Sequence, residues 1–411
     1  SDGGQPSAGR MEAVAVRKRK IRWLVLIAAI LILSGMAAVL IKTREKGEES
    51  GEASWFNQAM GLAFATEDGF FHTDSRNFLY FYDFQEEQDV IVCNKPDCRH
   101  EEIQEDTPEE EKCNAYLSGL TCGFVSGKQL YVIEIDPARQ KADIVRSAMD
   151  RSGQEKVGTL ALHYLDTFAV KDDGLYLAAS QQEMTEDEAK MDIPSSRAKT
   201  WLYRVDLKTG EVQKVTKESV DYNAAFQIAG IWEGKLYCRY SYFDQLYDGS
   251  NFEEAGAHTS WYAYDIDSGA YEEVIPDGGP GSGFYIREGT LLYDQGEADG
   301  SYTIWQADLK TKEVTRCAVS ETAPLYADGK AFIQKDGRDQ YYDPAAGETK
   351  SLNHHLLDRF YFWQDAGAYF YGAVRREDRL GDTPALIRKD DFYAGKDRFV
   401  LVTWNSPKEL P

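Results

Sequence analysis

Five residues within thirty positions carry most of the reactive chemistry of this 411-residue chain: Cys93, Cys98, His100, Cys113 and Cys122. Three thiolates and one imidazole make a tetrahedral zinc set, and the short Cys93 to Cys98 spacing followed by His100 lets the ligands converge. In an oxidising compartment the same cysteines have a second use, since neighbouring cysteines outside the membrane more often pair as disulfides. Cys122 lies in the apolar strand pattern LTCGFV and reads as a buried thiol, which would leave Cys93, Cys98 and Cys113 competing for one bridge. Two readings therefore stand. One is a structural zinc on Cys93, Cys98, His100 and Cys113; the other, favoured on compartment, is disulfides among Cys93, Cys98, Cys113 and Cys122. Cys238 and Cys317 are isolated in strand patterns and read as small buried hydrophobes.

Other candidates are weaker. The acidic run Glu101, Glu102, Glu105, Asp106, Glu109, Glu110 and Glu111 reads as a solvated loop. Asp265, Asp267 and Glu272 resemble the start of a calcium loop but lack its central glycine and terminal glutamate, so turn chemistry is the better account. His354 and His355 are adjacent and point apart on any regular element. There is no GxSxG elbow, HExxH, phosphate loop or dinucleotide fingerprint. No catalytic residue and no cofactor beyond a structural zinc is expected, and the enzyme question leans to no.

The elements that must position these residues are strands. The chain holds 25 Tyr, 19 Phe and 8 Trp, which favour strands over helices, and this content is too apolar for a disordered polyelectrolyte. Its net charge of −23, from 69 acidic and 46 basic residues, excludes a chain that wraps phosphate backbones, so no nucleic acid is expected.

A two-hairpin unit repeats. Its first turn carries Gly69, Gly127, Gly174, Gly234, Gly289, Gly329 and Gly367, spaced 38 to 60 residues apart. Its second is an aromatic strand running into Asp and a polar turn, as in LYFYDF from Leu79, LYRVDLKTGE from Leu202, WYAYDIDSGA from Trp261 and IWQADLKTKE from Ile304. Two hairpins per unit make four strands, which predicts an all-β protein, a β-propeller of seven four-stranded blades over residues 55–411. The FVLVTW stretch from Phe399 to Trp404 is expected to complete the last blade, and the segment from Trp55 to Ala65 to form the innermost strand of the first.

The repeated turn-plus-LY and the LYxxDxxTG hairpin resemble the TolB-like and quinoprotein-like propellers. Blade one with its tail, LYFYDFQEEQDVIVCNKPDCRH…CNAY, resembles a group of largely uncharacterised extracytoplasmic propeller proteins of Gram-positive bacteria. The resemblance implies architecture and location and carries no catalytic residue. Long loops, including Gln181 to Thr200, Asp244 to Ser260 and Gly372 to Pro384, are expected on one face together with the blade-to-blade connections. That face is the expected binding surface.

Residues 23–41, WLVLIAAILILSGMAAVLI, carry no charge and suit one transmembrane α-helix. Arg17, Lys18, Arg19, Lys20 and Arg22 precede it, so the tail 1–22 is expected in the cytoplasm and the rest outside, in a single pass of the plasma membrane. The span exceeds a signal-peptide core, which favours an anchor over cleavage. Residues 42–54 read as a charged stalk. The expected partners are the lipid bilayer, through residues 23–41, and an extracellular protein, peptide or cell-wall glycan. The expected role is a binding or sensor module, the alternative a cell-surface hydrolase or lyase working at the channel mouth.

Overall fold

The computed structural model describes residues 51–52, 54–55 and 62–402 apart from 102, 104–106, 109–110, 163, 183–196, 248–251, 277–280 and 376–381. Residues 1–22, the expected membrane span 23–41 and most of the expected stalk 42–54 lie outside the described residues, as do most of residues 181–200 and parts of 244–260 and 372–384. Among the described residues no helix is long and apolar enough to cross a membrane.

Two short strands, β1 (Gly51–Glu52) and β2 (Ser54–Trp55), precede a series of four-strand antiparallel meanders. The first is β3–β6 (Ala63–Ala65, Gly69–Thr73, Leu79–Asp83, Gln88–Ile91), and the next is β7–β10 (Leu120–Ser126, Gln129–Asp136, Lys141–Ser147, Glu155–Ala161). Then come β11–β14 (Tyr164–Lys171, Gly174–Gln182, Arg197–Asp206, Val212–Lys214) and β15–β18 (Ser219–Trp232, Lys235–Phe243, Ala257–Asp265, Tyr271–Ile275). They are followed by β19–β22 (Phe284–Arg287, Thr290–Gly296, Tyr302–Asp308, Val314–Ser320) and β23–β26 (Leu325–Ala327, Lys330–Lys335, Arg338–Asp343, Glu348–Ser351). The last is β27–β30 (Phe360–Ala366, Tyr369–Arg375, Asp382–Arg388, Phe399–Leu401). The β11–β14 and β15–β18 meanders fuse into one larger sheet, because the start of β13 (Arg197–Thr200) pairs with Ser219–Tyr222 of β15.

Local chemistry explains both hairpins of the unit. Each repeat glycine lies at the turn between its meander's first two strands. At Glu233–Gly234 and Asp328–Gly329 both residues have positive φ (45° and 74°, 52° and 71°), the geometry of a type I′ turn that matches the twist of paired strands. The aspartate of the second hairpin has a defined task. Asp206 Oδ1 accepts the N–H groups of Lys208 and Thr209, and Asp308 Oδ1 accepts those of Lys310 and Thr311. In the last meander this turn is replaced by a short helix, Lys389–Tyr393.

Packing between meanders makes the core. Buried apolar clusters join each meander to the next, from Leu62, Phe71 and Leu130 between the first two to Phe332, Phe362 and Phe370 between the last two. One further cluster joins the last meander to the first: Tyr369, Tyr371 and Leu386 pack on Phe70 and Tyr82, with the Phe70 and Tyr371 ring centroids 4.5 Å apart. The strands therefore radiate around a central axis, the architecture of a β-propeller. Among the described residues each meander uses consecutive strands, and the first and last meet through side chains.

Two expectations are corrected. Only Ala63–Ala65 serves as innermost strand of the first meander; Ser54–Trp55 pairs instead with Thr167–Phe168 of β11, while β1 pairs with β15. Cys317 is half-buried in β22 rather than buried, whereas Cys238 and Cys122 are buried. The β30 strand does complete the last meander.

If aromatic packing closes the ring, Phe70→Ala should cost about 3–5 kcal/mol in urea unfolding. Leu401→Ala, at a position 45 % exposed, should change stability by less than about 0.5 kcal/mol. Equal effects of the two would reject side-chain closure.

Candidate metal centre and central cavity

Cys93 leaves the end of β6, where its N–H donates to Ile91 O. Pro96 sits in the tight turn that follows, closed by Cys98 N–H on Lys95 O at 3.2 Å, and the turn returns Cys98 toward Cys93. His100 comes next with a left-handed φ of 54°. Cys113 arrives from the far end of the acidic loop because the chain after it docks on β5: Leu79 N–H donates to Ala115 O, Leu117 N–H to Asn77 O, and Phe78 bridges Tyr116. Phe78, Cys113 and Ala115 form a small buried cluster that anchors this end.

The ligand atoms of Cys93, Cys98, His100 and Cys113 all lie within 4.8 Å of one another, and His100 Nδ1 is 3.4 Å from Cys113 Sγ. Ligands on a tetrahedral zinc stand about 3.5–3.8 Å apart, so this set fits that ion with small adjustments. All six cysteines are free thiols. Cys122, buried in the core beside Phe124 and Ile133, lies outside the group.

The electrostatics divide the thiols. Burial raises the Cys93 thiol, but the backbone N–H groups of Lys95 and Asn114, with the neighbouring thiols, outweigh it and leave its pKa below the ordinary value. Cys113 is pushed up to about 12 by burial, although the Ala115 N–H favours its thiolate. Backbone N–H groups two residues beyond a cysteine, aimed at its sulfur, suit a thiolate bound to a metal.

Next to this cluster lies a cavity of about 530 Å³ bordered by Cys113, Asn114, Tyr116, Glu134, Arg151 and Gln154. Arg151 occupies the β9–β10 turn at a left-handed φ of 62° and is 1 % exposed. Its Nε donates to Asn114 O at 3.3 Å and its Nη2 to Gln154 Oε1 at 3.2 Å, while Nη1 has no partner. Burial lowers its pKa, opposed by Glu134 at 4.0 Å. Both features are costly for folding, since a non-glycine residue in the left-handed region and an unsatisfied buried donor each cost about 1–3 kcal/mol.

The second candidate is the central cavity, about 640 Å³, to which each meander's first strand contributes: Phe64, Val125, Val170, Ala229, Ile286, Tyr326 and Trp363. At the end carrying the glycine turns it meets Asp328, Asp365 and Lys389. Lys389 Nζ lies 3.1 Å from Asp328 and 2.6 Å from Asp365, Lys330 Nζ lies 2.7 Å from Asp328, and Tyr393 donates to Asp328 at 2.8 Å. Asp365 also accepts the backbone N–H of Asp328. Burial would raise Asp328, but Lys330, Lys389 and Tyr393 hold it below the usual carboxylate range. Asp328 is thus held as a carboxylate inside a closed network of ion pairs and hydrogen bonds, whereas an acid–base pair needs one carboxyl held protonated.

Asp166, at the bulge of β11, is raised to about 6 by burial alone. The histidines are engaged elsewhere. His72 Nε2 meets Asp89 at 2.9 Å in β4, one strand out from the axis, and His354 accepts the Leu356 N–H and packs edge-on against Phe392 while His355 is exposed. Asp265 binds Ser268 in its own turn and Glu272 pairs with Lys235 and Lys312, as turn chemistry requires. Sequence reasoning reached the four clustered Cys and His side chains but neither Arg151 nor the Asp328, Asp365 and Lys389 group, which are assembled by contacts up to 65 residues apart in the chain.

No protein-family profile and no curated protein matches this sequence. In three dimensions the chain is similar to a Mycobacterium tuberculosis puromycin-hydrolyzing peptidase, with a TM-score of 0.53 at 12% identity over 86% of this chain. It spans only 54% of that peptidase. The β-propeller domain of the trilobed protease from Pyrococcus furiosus aligns at a TM-score of 0.48 and 13% identity, covering 86% of this chain and all of that domain. An oligogalacturonate lyase in complex with manganese gives 0.43 and 11%, over 82% of this chain and 89% of the lyase. These structural neighbours are propeller proteins, and at such identity the likeness to the peptidase extends to the fold alone.

Two measurements check the chemistry. Elemental analysis of the full-length chain purified with reductant should find about one zinc per molecule, lost in Cys113→Ser with a melting temperature lower by a few degrees. A metal-free chain whose intact mass is short by paired hydrogens would instead establish disulfides. For Asp166 the folded pKa of about 6 lies above the unfolded value, so its ionised form opposes folding. Its contribution is most favourable below about pH 4 and is lost as pH rises to about 6, so Asp166→Asn should stabilise at pH 7.5 by on the order of 2 kcal/mol and flatten that slope.

Proposed function

We propose that this chain is a membrane-tethered, extracytoplasmic β-propeller that closes as seven four-stranded blades and acts as a binding or sensor module for a protein, peptide or cell-wall glycan. In this reading residues 23–41 anchor it in the plasma membrane, the charged segment 42–54 spaces it from the bilayer up to where Gly51–Glu52 and Ser54 pair with β15 and β11, and Cys93, Cys98, His100 and Cys113 hold a structural zinc that fastens the acidic connection after the first blade. The TolB-like character of the repeats belongs to the same reading.

The observation that carries the binding role is the state of the central cavity. Asp328 and Asp365 are tied up by Lys389 and Lys330, and Lys330, Lys389 and Tyr393 hold Asp328 below the usual carboxylate range, which makes it a poor proton donor and a weak base. A zinc on three thiolates and one imidazole has no open position and is structural in kind. One observation favours the second reading, a hydrolase or lyase at the channel mouth. Two carboxylates do meet at one cavity in a fold shared with a propeller peptidase.

The full-length chain in lipid nanodiscs separates the two readings. Soluble muropeptides from digested cell wall should bind saturably in calorimetry. Peptide anilides and oligogalacturonate should show no turnover above the uncatalysed rate. Turnover that falls at least a hundredfold in Asp365→Asn would replace the binding reading with the enzymatic one.

A further inference from the structure

The cavity beside the cysteine cluster contains a group that the fold itself leaves unused. Arg151 is buried almost completely, is held by Asn114 O and Gln154, and keeps Nη1 without a partner although Glu134 stands 4.0 Å from its Nη2. A buried guanidinium with an empty donor is rare in folded proteins and is explained most directly by a group that arrives from outside. The surrounding volume of about 530 Å³ lies within the range of small-molecule sites.

The lining identifies the class of ligand. Arg151, with one donor unused, supplies the positive charge and Glu134 a negative one beside it, so the pocket suits a monoanion better than a phosphate dianion. Planar guanidinium geometry matches a carboxylate. The rest of the lining is polar, with the Tyr116 ring at the wall: Asn114 donates to Asn94 and Gln154 exchanges hydrogen bonds with Arg151, which leaves Asn114 Oδ1 and the Ser118 hydroxyl to suit a hydroxyl-rich molecule rather than an apolar one.

We propose that this pocket binds the carboxylate of a sugar acid, with Arg151 as the carboxylate anchor. The metal-binding segment supplies one wall through Cys113 and Asn114, so the clip and the pocket are parts of one construction. The inference gives the binding reading its ligand class and rests on that reading.

Calorimetry on the full-length chain in nanodiscs tests it with sodium glucuronate, glucose, inorganic phosphate and the dipeptide glycyl-alanine as separate probes. Glucuronate should bind saturably, at least tenfold tighter than each of the other three. Arg151→Lys, which keeps the charge and loses the planar fork, should weaken glucuronate at least tenfold. Ser118→Glu, which sets a negative charge in the lining at an exposed position away from the cysteines, should do the same, and it decides the matter if Arg151→Lys fails to fold. No saturable glucuronate binding, equal affinity for glucose, tighter phosphate binding, or unaltered affinity in the variants would overturn the site. Dipeptide binding as tight as glucuronate would overturn the sugar-acid assignment. Loss of the site while muropeptides still bind leaves the binding reading standing, whereas substrate turnover strikes at that reading and not at the glucuronate affinities.

Discussion

Every sheet of this protein is apolar on both faces, and that single constraint organises the rest. A sheet whose two sides are lined by Phe, Tyr, Leu and Ile must be covered twice, and a row of such sheets has two uncovered ends unless it closes. Closure here is Phe70 and Tyr82 against Tyr369, Tyr371 and Leu386. Burying a large side chain is worth about 1.5–3 kcal/mol, so a handful of aromatic residues suffices to hold the ends of the ring without a shared strand. The N-terminal strands β1 and β2 are then free to pair with the inner strands β15 and β11 rather than with the last meander.

The closed ring leaves functional groups two places to gather, the axis and the rim, and they are treated differently. At the axis, charged groups are balanced internally: Asp328, Asp365, Lys330 and Lys389 neutralise one another and tie the short helix after β29 to the turn before β24. Such a network fixes geometry more than it adds stability, because desolvation offsets much of the attraction. At the rim the balance is incomplete. The connection from β6 to β7 brings three thiols and an imidazole together, and the adjacent Arg151 is buried with an unsatisfied donor. The axis is thus satisfied within the fold, while the rim keeps a buried donor without a partner among the described residues.

The cysteine cluster shows how local and distant constraints combine. Cys93, Cys98 and His100 are neighbours in sequence and need only one tight turn to converge. Cys113 joins them because Ala115 and Leu117 pair with the strand edge at Asn77 and Leu79, a contact that belongs to the blade. A metal at this point would close the acidic connection onto the sheet and hold one wall of the neighbouring pocket.

Much of this was legible in the chain itself. All seven turn glycines, the aspartates that accept N–H groups within their own hairpins, and the alternating aromatic strands are readable because each depends on residues within a few positions. So was the grouping of Cys93, Cys98, His100 and Cys113, as one of two uses for the same cysteines. What brings Cys113 to the other three was not, since it depends on where the backbone after Cys113 docks. Nor were Arg151 in its pocket, the Lys389 bridge to residues on other strands, or the pairing of Ser54–Trp55 with β11. Those arise from contacts across many tens of residues, where only the closed ring decides which side chains meet. Turn and strand chemistry is local and was determined by the sequence alone; the sites are products of closure, because burial and charge balance exist only once the sheets have packed.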